Sequence, residues 1–488
     1  MTNISDKEIL QMLGRGESIE SVVGSTKMSF SEFNVWWTDQ IASRVPNMSG
    51  TKVAAVTADV NILRDEWGIP HIFADSEEDL FLGYGYAMAQ DRLWQLDYVR
   101  RKAIGRLAEV IGPDGLENDI ISRIVGINRI STKEVSKLPL DTLRRLEAFS
   151  DGINLATKES QNNLPIEFDL LGYKPEPWTP LDSIAVWCDF RWSLTGRLDG
   201  IAIAELAKRT LGNSELYHAF LTTEADDESI LPKGSYPTNP SHLNQINHGG
   251  GGIHEGIGSN NWVIGGKITS TNLPIVATDP HIAFGSVSCW YETHLSGGPF
   301  NVVGTSYVGI PCMIFGRNER VAWGITNNIC SQRDLYQEKE DPLNHGYYLF
   351  NGEWEPAKEL IEHISVRGEK TVSKTVKFSR NGPIVDELLP PEARNTGPVS
   401  LKWVGQNLSD ELSCYYSAYK SRSCAEFREA LRNWKVATWS FGFADVDGHI
   451  GYQSVGRIPI RSKWERGYRT GWNAEDQWDS FIPYDSMP

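Results

Sequence analysis

At 488 residues, 40% hydrophobic and 23% charged, the chain is long enough for roughly two to four domain-sized units and is not short of apolar area to bury. Its 63 acidic residues against 47 basic ones give a net charge of −16; phosphate binding needs a concentrated basic face, so nucleic acid is excluded as a partner. No run of 18 apolar residues occurs and the N-terminus lacks a basic start followed by an apolar core, so the expectation is no membrane partner, no signal peptide and a cytoplasmic location. Six scattered cysteines without a C-x-x-C pair offer neither a metal clip nor a redox motif; they read as buried free thiols, with a Cys414–Cys424 disulfide as the alternative.

In chain order, residues 1–50 read as a small helical appendage. Leu10, Leu13, Ile19, Val22 and Val23 are spaced for packing, Gly24 and Ser25 interrupt them, and Ser29 restarts a helix as N-cap. A strand with Val60, Ile62 and Leu63 runs into a Gly68–Pro70 turn. Ser76 then opens a helix, with Asp79 three residues on, that is expected to end near Gly112-Pro113. Residues 57–225 are otherwise mainly helical, with a break at 174–177. Residues 226–258, with acids, prolines and the run Gly249 to Gly252, cannot bury apolar area and read as an exposed spacer open to cleavage. From 259 to 488 the pattern is strand-like, beginning with two short strands joined by a turn and carrying one helical insert near 424–436. Helices first and sheet second make an α+β chain.

The junction Gly258–Ser259 is the chemically suggestive point. A serine hydroxyl needs an adjacent base to act as a nucleophile. Breaking the preceding peptide would place a new α-amino group, of ordinary pKa about 7.7–8.0, within one residue of Oγ. Gly258 has no Cβ, which leaves that peptide free to bring its carbonyl to Oγ.

The surroundings of this junction give it specificity. Before the spacer stand Arg64-Asp65, Gly68-Ile69-Pro70-His71-Ile72, Ala89-Gln90-Asp91-Arg92 and Gly105-Arg106-Leu107-Ala108-Glu109. After it come Ser259-Asn260-Asn261-Trp262, Asp279-Pro280-His281, Phe315-Gly316-Arg317-Asn318, Trp323-Gly324-Ile325-Thr326-Asn327 and Ala444-Asp445-Val446-Asp447-Gly448. In order and spacing these resemble the penicillin acylase family of N-terminal-nucleophile hydrolases over about residues 57 to 488. The resemblance implies a four-layer αββα fold and a precursor that cuts itself before Ser259 into two chains. The product would be an amidohydrolase acting on the linear amide of a small N-acylated molecule.

The same resemblance implies roles for individual residues. Ser259 is the nucleophile, with Gly258–Ser259 the cleavage point. His281 is a polar group orienting it, and the Asn327 main-chain N–H is an oxyanion donor. Ser440 stands where the family has a second, side-chain Asn donor, and Arg461 matches an arginine near the active-site mouth. Phe190 and Trp192 are candidates for the acyl-binding wall. A calcium scaffold is implied with Glu205 and Asp334 as matches, although Ser331 stands where another acid would help.

Two rival readings remain open. One changes the substrate to an N-acyl-homoserine lactone or an N-acylated amino acid. The other is an inactive structural relative, suggested by Ser440 and by family members continuing beyond the position of Pro488, so that a further polypeptide would complete the C-terminal part. No G-x-S-x-G elbow supports a Ser-His-Asp hydrolase.

Overall fold

The computed structural model describes residues 4–196, 198–212, 214–221, 258–282, 287–328, 330–463 and 465–487. The expected spacer, apart from Gly258, lies outside the described residues. The appendage is three helices, Asp6–Gly14, Ile19–Thr26 and Phe30–Ala42, around Ile9, Val22 and Phe33. Gly24 and Ser25 do not break the second helix, contrary to the sequence expectation. The chain turns at Lys27, in the left-handed region at φ 63°. The appendage docks through an Arg44–Asp169 ion pair of 2.8 Å.

Ser76 caps the helix Glu77–Ile104, its Oγ accepting the Asp79 N–H. This helix stops earlier than expected, at a left-handed Gly105. Gly85 and Gly152 let it cross helix Leu140–Glu159 at backbone distance; a Cβ at Gly85 would stand 2.0 Å from the Phe149 carbonyl oxygen. The expected insert near 424–436 is instead a pair of helices, Glu411–Ala418 and Cys424–Ala430.

These helices cover one face of an eight-stranded sheet. Its order is Asn61–Arg64, Pro70–Ala74, Trp290–Gly297, Phe300–Tyr307, Met313–Arg317, Val321–Asn327, Trp439–Asp445 and Ile450–Val455. The first two strands precede the spacer and the rest follow it. They meet at the sheet's one parallel pairing, where His71 stands opposite His294. Alternation along the strands sorts side chains by face. Trp323 points into the helical layer, stacked on Tyr419 and Phe427. Its neighbour Gly324, paired with Gly442, faces the other way.

Against that other face lies the hairpin of Gly258–Ile264 and Ile275–His281. A Cβ at Gly324 would come within 2.9 Å of Thr278 Cβ, and one at Gly442 within 2.9 Å of Val263 Cγ2, so the glycine pair makes the space the hairpin occupies. The chain thus has the α+β N-terminal-nucleophile hydrolase fold. Its described residues supply the helical layer, the main sheet and this two-stranded part of the facing sheet. No helix among them is long and apolar enough to cross a membrane. All six cysteines are free, including Cys414 and Cys424, and burial pushes the Cys188 thiol up to about 12.

A buried charge cluster ties the two halves together. Arg191, on helix Pro180–Leu194, is fully buried between Glu134 Oε2 at 2.6 Å and Glu411 Oε2 at 2.9 Å. Glu134 precedes the spacer and Glu411 follows it. Burial pushes the Glu134 carboxyl up to about 7, against the pull of Arg191. That value exceeds its ordinary 4.5, so the folded state binds this proton more tightly than the unfolded one. Its contribution to stability is therefore full below about pH 4.5 and lost as the pH rises through 7.

Arg191→Met strands two buried carboxylates and should cost about 3–5 kcal/mol in denaturant unfolding, with a larger loss at pH 8 than at pH 6; a loss below 1 kcal/mol at both would remove the cluster's assigned role. Gly324→Val should dislodge the hairpin while leaving far-UV circular dichroism unchanged. Limited proteolysis, cutting between residues 265 and 274, should speed up at least about tenfold.

Candidate active site

Ser259 sits at the second residue of its strand, paired with Pro280, while Gly258 pairs with His281. Register directs Ser259, Asn261 and Val263 toward the main sheet. Three sets of hydrogen bonds stitch the hairpin there. Thr326 Oγ1 donates to the Ser259 carbonyl at 2.9 Å, and Asn261 Nδ2 donates to the Ser440 carbonyl at 2.9 Å. Thr278 Oγ1 accepts the Ile325 N–H at 3.4 Å and reaches its carbonyl at 3.3 Å.

Ser259 Oγ accepts the main-chain N–H of His281 at 3.2 Å. The His281 ring turns away, its Nε2 lying 2.9 Å from Asp279 Oδ2. The residue expected to orient the serine therefore touches it through its backbone. A main-chain contact fixes Oγ without requiring a particular side-chain rotamer.

Asn327 closes strand Val321–Asn327 opposite Trp439, and its Nδ2 donates to the Leu194 carbonyl at 2.7 Å. This bond ties the strand end to the end of helix Pro180–Leu194. Ser440, buried and paired with Thr326 on the hairpin side, places Oγ 2.7 Å from the Tyr452 hydroxyl. The serine hydroxyl is shorter than the asparagine expected from the resemblance, and it comes with a phenol that extends its reach. Sequence reasoning passed over Tyr452, Thr326 and Asn261. Thr326 and Asn261 lie within matched motifs, but only the strand register brings them and Tyr452 beside Ser440.

A cavity of about 590 Å³ opens beside the hairpin, reached by Pro280 and walled by Trp290, Phe315, Tyr291 and the Trp67–Pro70 turn. Asp91 and Arg92 form its floor where the helix Glu77–Ile104 departs from helical geometry at Arg92. Asp91 is held by Arg64 at 2.8 Å and by the Tyr291 hydroxyl at 2.6 Å. Trp290 meets Phe315 edge-on, with ring centroids 5.0 Å apart. Phe190 stands behind Trp290 at 6.2 Å and against Tyr307 at 4.6 Å, supporting the wall rather than lining it. Trp192, expected beside it, lies elsewhere: it packs on Trp403, and the Arg333 guanidinium sits 3.8 Å over its ring. Successive helix positions diverge by about 100°, which sends residues 190 and 192 to different neighbours.

Arg461 donates from Nε to Asp334 Oδ2 at 2.8 Å and from Nη2 to the Ser331 carbonyl at 2.9 Å. Asp334 also accepts the Trp478 indole N–H at 2.5 Å, with Arg469 3.8 Å away. Glu205 is paired with Arg209 at 2.8 Å and accepts the Tyr468 N–H at 3.0 Å. Calcium needs six to eight oxygen ligands. Asp334 Oδ2 is thus engaged by a guanidinium and an indole, and Glu205 by a guanidinium and a main-chain N–H.

The Penicillin amidase family model matches residues 59–488. The chain is 31% identical over 467 residues to Penicillin acylase 2 proenzyme of Pseudomonas sp. (strain SE83), covering 92% of this chain and 59% of that protein. It is 28% identical to Acyl-homoserine lactone acylase QuiP of Pseudomonas aeruginosa, covering 91% and 55% respectively. Against Penicillin G acylase of Escherichia coli the identity is 25%, covering 88% and 58%. The chain thus spans a little over half the length of these relatives. With a family match running from before the sheet's first strand to the last residue, the chain belongs to the penicillin amidase family.

Proposed function

We propose that this chain is the nucleophile-bearing part of a self-processing acylase that hydrolyses the linear amide of a small N-acylated molecule. The observation that carries the reading is the placement of Ser259. It is the second residue of a strand bonded to the main sheet, its Oγ is held by a main-chain N–H, and the hairpin borders a cavity walled by Trp290 and Phe315.

In maturation, Ser259 Oγ attacks the Gly258 carbonyl and the C–N bond breaks as the acyl group moves to oxygen. Water then hydrolyses the ester, leaving the Gly258 carboxylate and a free Ser259 amine. In turnover, that amine takes the Oγ proton through a water molecule and Oγ attacks the substrate carbonyl. On this reading the Asn327 N–H would serve as one oxyanion donor and the paired Ser440 and Tyr452 hydroxyls as the second. One such donor is worth about 3–4 kcal/mol in the transition state. The proton passes to the leaving amine, and water releases the acid from the acyl-serine.

The aromatic wall favours an apolar acyl group, while the amine half would lie toward solvent. Trp262, Ile275, Ile450 and Tyr452 expose large apolar surface around the hairpin's outer side and the sheet edge; a further polypeptide completing the enzyme would cover them.

Purified protein should resolve by intact mass into two chains, the second beginning Ser-Asn-Asn-Trp, while Ser259→Ala stays whole. A wild-type chain that remains uncut would sink self-processing. A cut protein that releases no amine from a panel of arylacetyl and straight-chain acyl amides would sink the acylase reading.

A further inference from the structure

The way the hairpin lies on the main sheet singles out a side chain to which the resemblance gives no role. Asn261 Nδ2 donates to the Ser440 carbonyl, and a Cβ at Gly442 would meet Val263 Cγ2 at 2.9 Å. The hairpin strand thus advances in step with Trp439–Asp445, which sets Ser259 level with residue 438 and Asn261 level with Ser440. On the next strand Thr326 stands opposite Ser440, and its Oγ1 donates to the Ser259 carbonyl. Two residues on, and so on the same face as Thr326, comes Asn328, whose main-chain N–H donates to the Thr438 carbonyl at 3.2 Å. Asn328, not Ser440, is therefore level with the nucleophile.

The Asn328 carboxamide is held at both ends. Its Oδ1 accepts the Cys330 N–H at 3.3 Å, a group that can only donate, so the oxygen and nitrogen are fixed. Its Nδ2 reaches Ser454 Oγ at 2.5 Å. Ser454 pairs with Ser440 and shares its face, which puts the carboxamide on the hairpin side of the sheet. Among the described residues only Ser454 accepts from Nδ2, leaving the second N–H unused.

Resting on the acylase reading, we propose that Asn328 is a catalytic residue whose side-chain N–H donates to the oxyanion formed when Ser259 Oγ adds to the substrate carbonyl. The resemblance places a side-chain Asn donor at 440, where this chain has Ser; Asn328 brings the same chemical group from the neighbouring strand. A carboxamide clamped at both ends meets the developing charge without reorganising, which is what makes such a donor effective. The carbonyl oxygen becomes charged only as the adduct forms, so the bond acts on kcat more than on KM. Self-cleavage passes the Gly258 carbonyl through the same kind of adduct and would use the same donor. The Ser440 and Tyr452 hydroxyls lie one row further along the hairpin, so variants separate the two sources.

The full chain is compared with Asn328→Asp, Asn328→Leu and Ser440→Ala. Self-cleavage is followed by intact mass, and turnover per cut chain with the best amide of the arylacetyl and straight-chain panel. The matching boronic acid, whose tetrahedral serine adduct mimics the oxyanion, supplies a binding readout. Asn328→Asp keeps the side chain's size and its bond from Cys330 while removing the donor; Asn328→Leu removes it without adding charge. Both should cut themselves slowly and lower kcat about 100–1000-fold with KM within about threefold, and both should weaken the boronic acid similarly. Adding Ser440→Asn to Asn328→Leu should recover at least about tenfold, and Ser440→Ala alone should lose less than about tenfold. An active wild type whose kcat survives both Asn328 variants overturns this assignment and leaves the acylase reading standing. So does a loss that merely follows the melting temperature, with the boronic acid unaffected and no rescue by Ser440→Asn. A wild type that neither cuts nor turns over removes the acylase reading, and this donor with it.

Discussion

The structure depends first on a guanidinium that cannot be left alone. Arg191 is wholly buried, and its two carboxylate partners come from opposite sides of the spacer. Separating the halves would leave an uncompensated charge in an apolar interior, which is far more expensive than any single surface contact. Glu411 is fixed further by the Trp187 indole N–H and by the main-chain N–H groups of Lys435 and Val436. The same helix that carries Arg191 ends at Leu194, whose carbonyl takes the Asn327 side chain. A buried ion cluster thereby positions one end of the strand that lies beneath Ser259.

Main-chain register governs the serine itself. Its Oγ and carbonyl are both held, by His281 N–H and Thr326, and the glycine pair behind the hairpin admits it at close range. A slip of one residue would send Ser259 to the outer face and turn Asn260 and Trp262 inward. Cutting the Gly258–Ser259 peptide need not disturb this arrangement, because the bonds that hold the hairpin lie at or beyond Ser259.

Much of this was legible in the sequence because local rules dominate there. The strands on either side of the 265–274 turn follow from alternation, and the Ser76 cap from its spacing to Asp79. Lys27 was missed because a left-handed non-glycine residue leaves no compositional mark, whereas Gly24 leaves one without needing it. The long helix's end at Gly105 was hidden by apolar residues that continue into a second short helix, Ala108–Ile111. The Arg191 cluster was invisible for a different reason. Its members are far apart in the chain, and each looks like surface charge until packing buries it. Asp334 illustrates what a motif leaves out: the acid stands where the resemblance expects it, and its Oδ2 takes both the Arg461 guanidinium and the Trp478 indole, partners far away in the chain. Phe190 and Trp192 likewise show that neighbouring aromatics on one helix serve different surroundings.

A nucleophilic Ser259 would become covalently acylated during turnover. Acid-quenching the cut protein milliseconds after mixing with an activated acyl amide, then mapping its peptides by mass, tests this directly. The acyl mass is expected on the peptide that begins at Ser259 and on no other. Turnover with the acyl group on a different residue, or with none on Ser259, would contradict it.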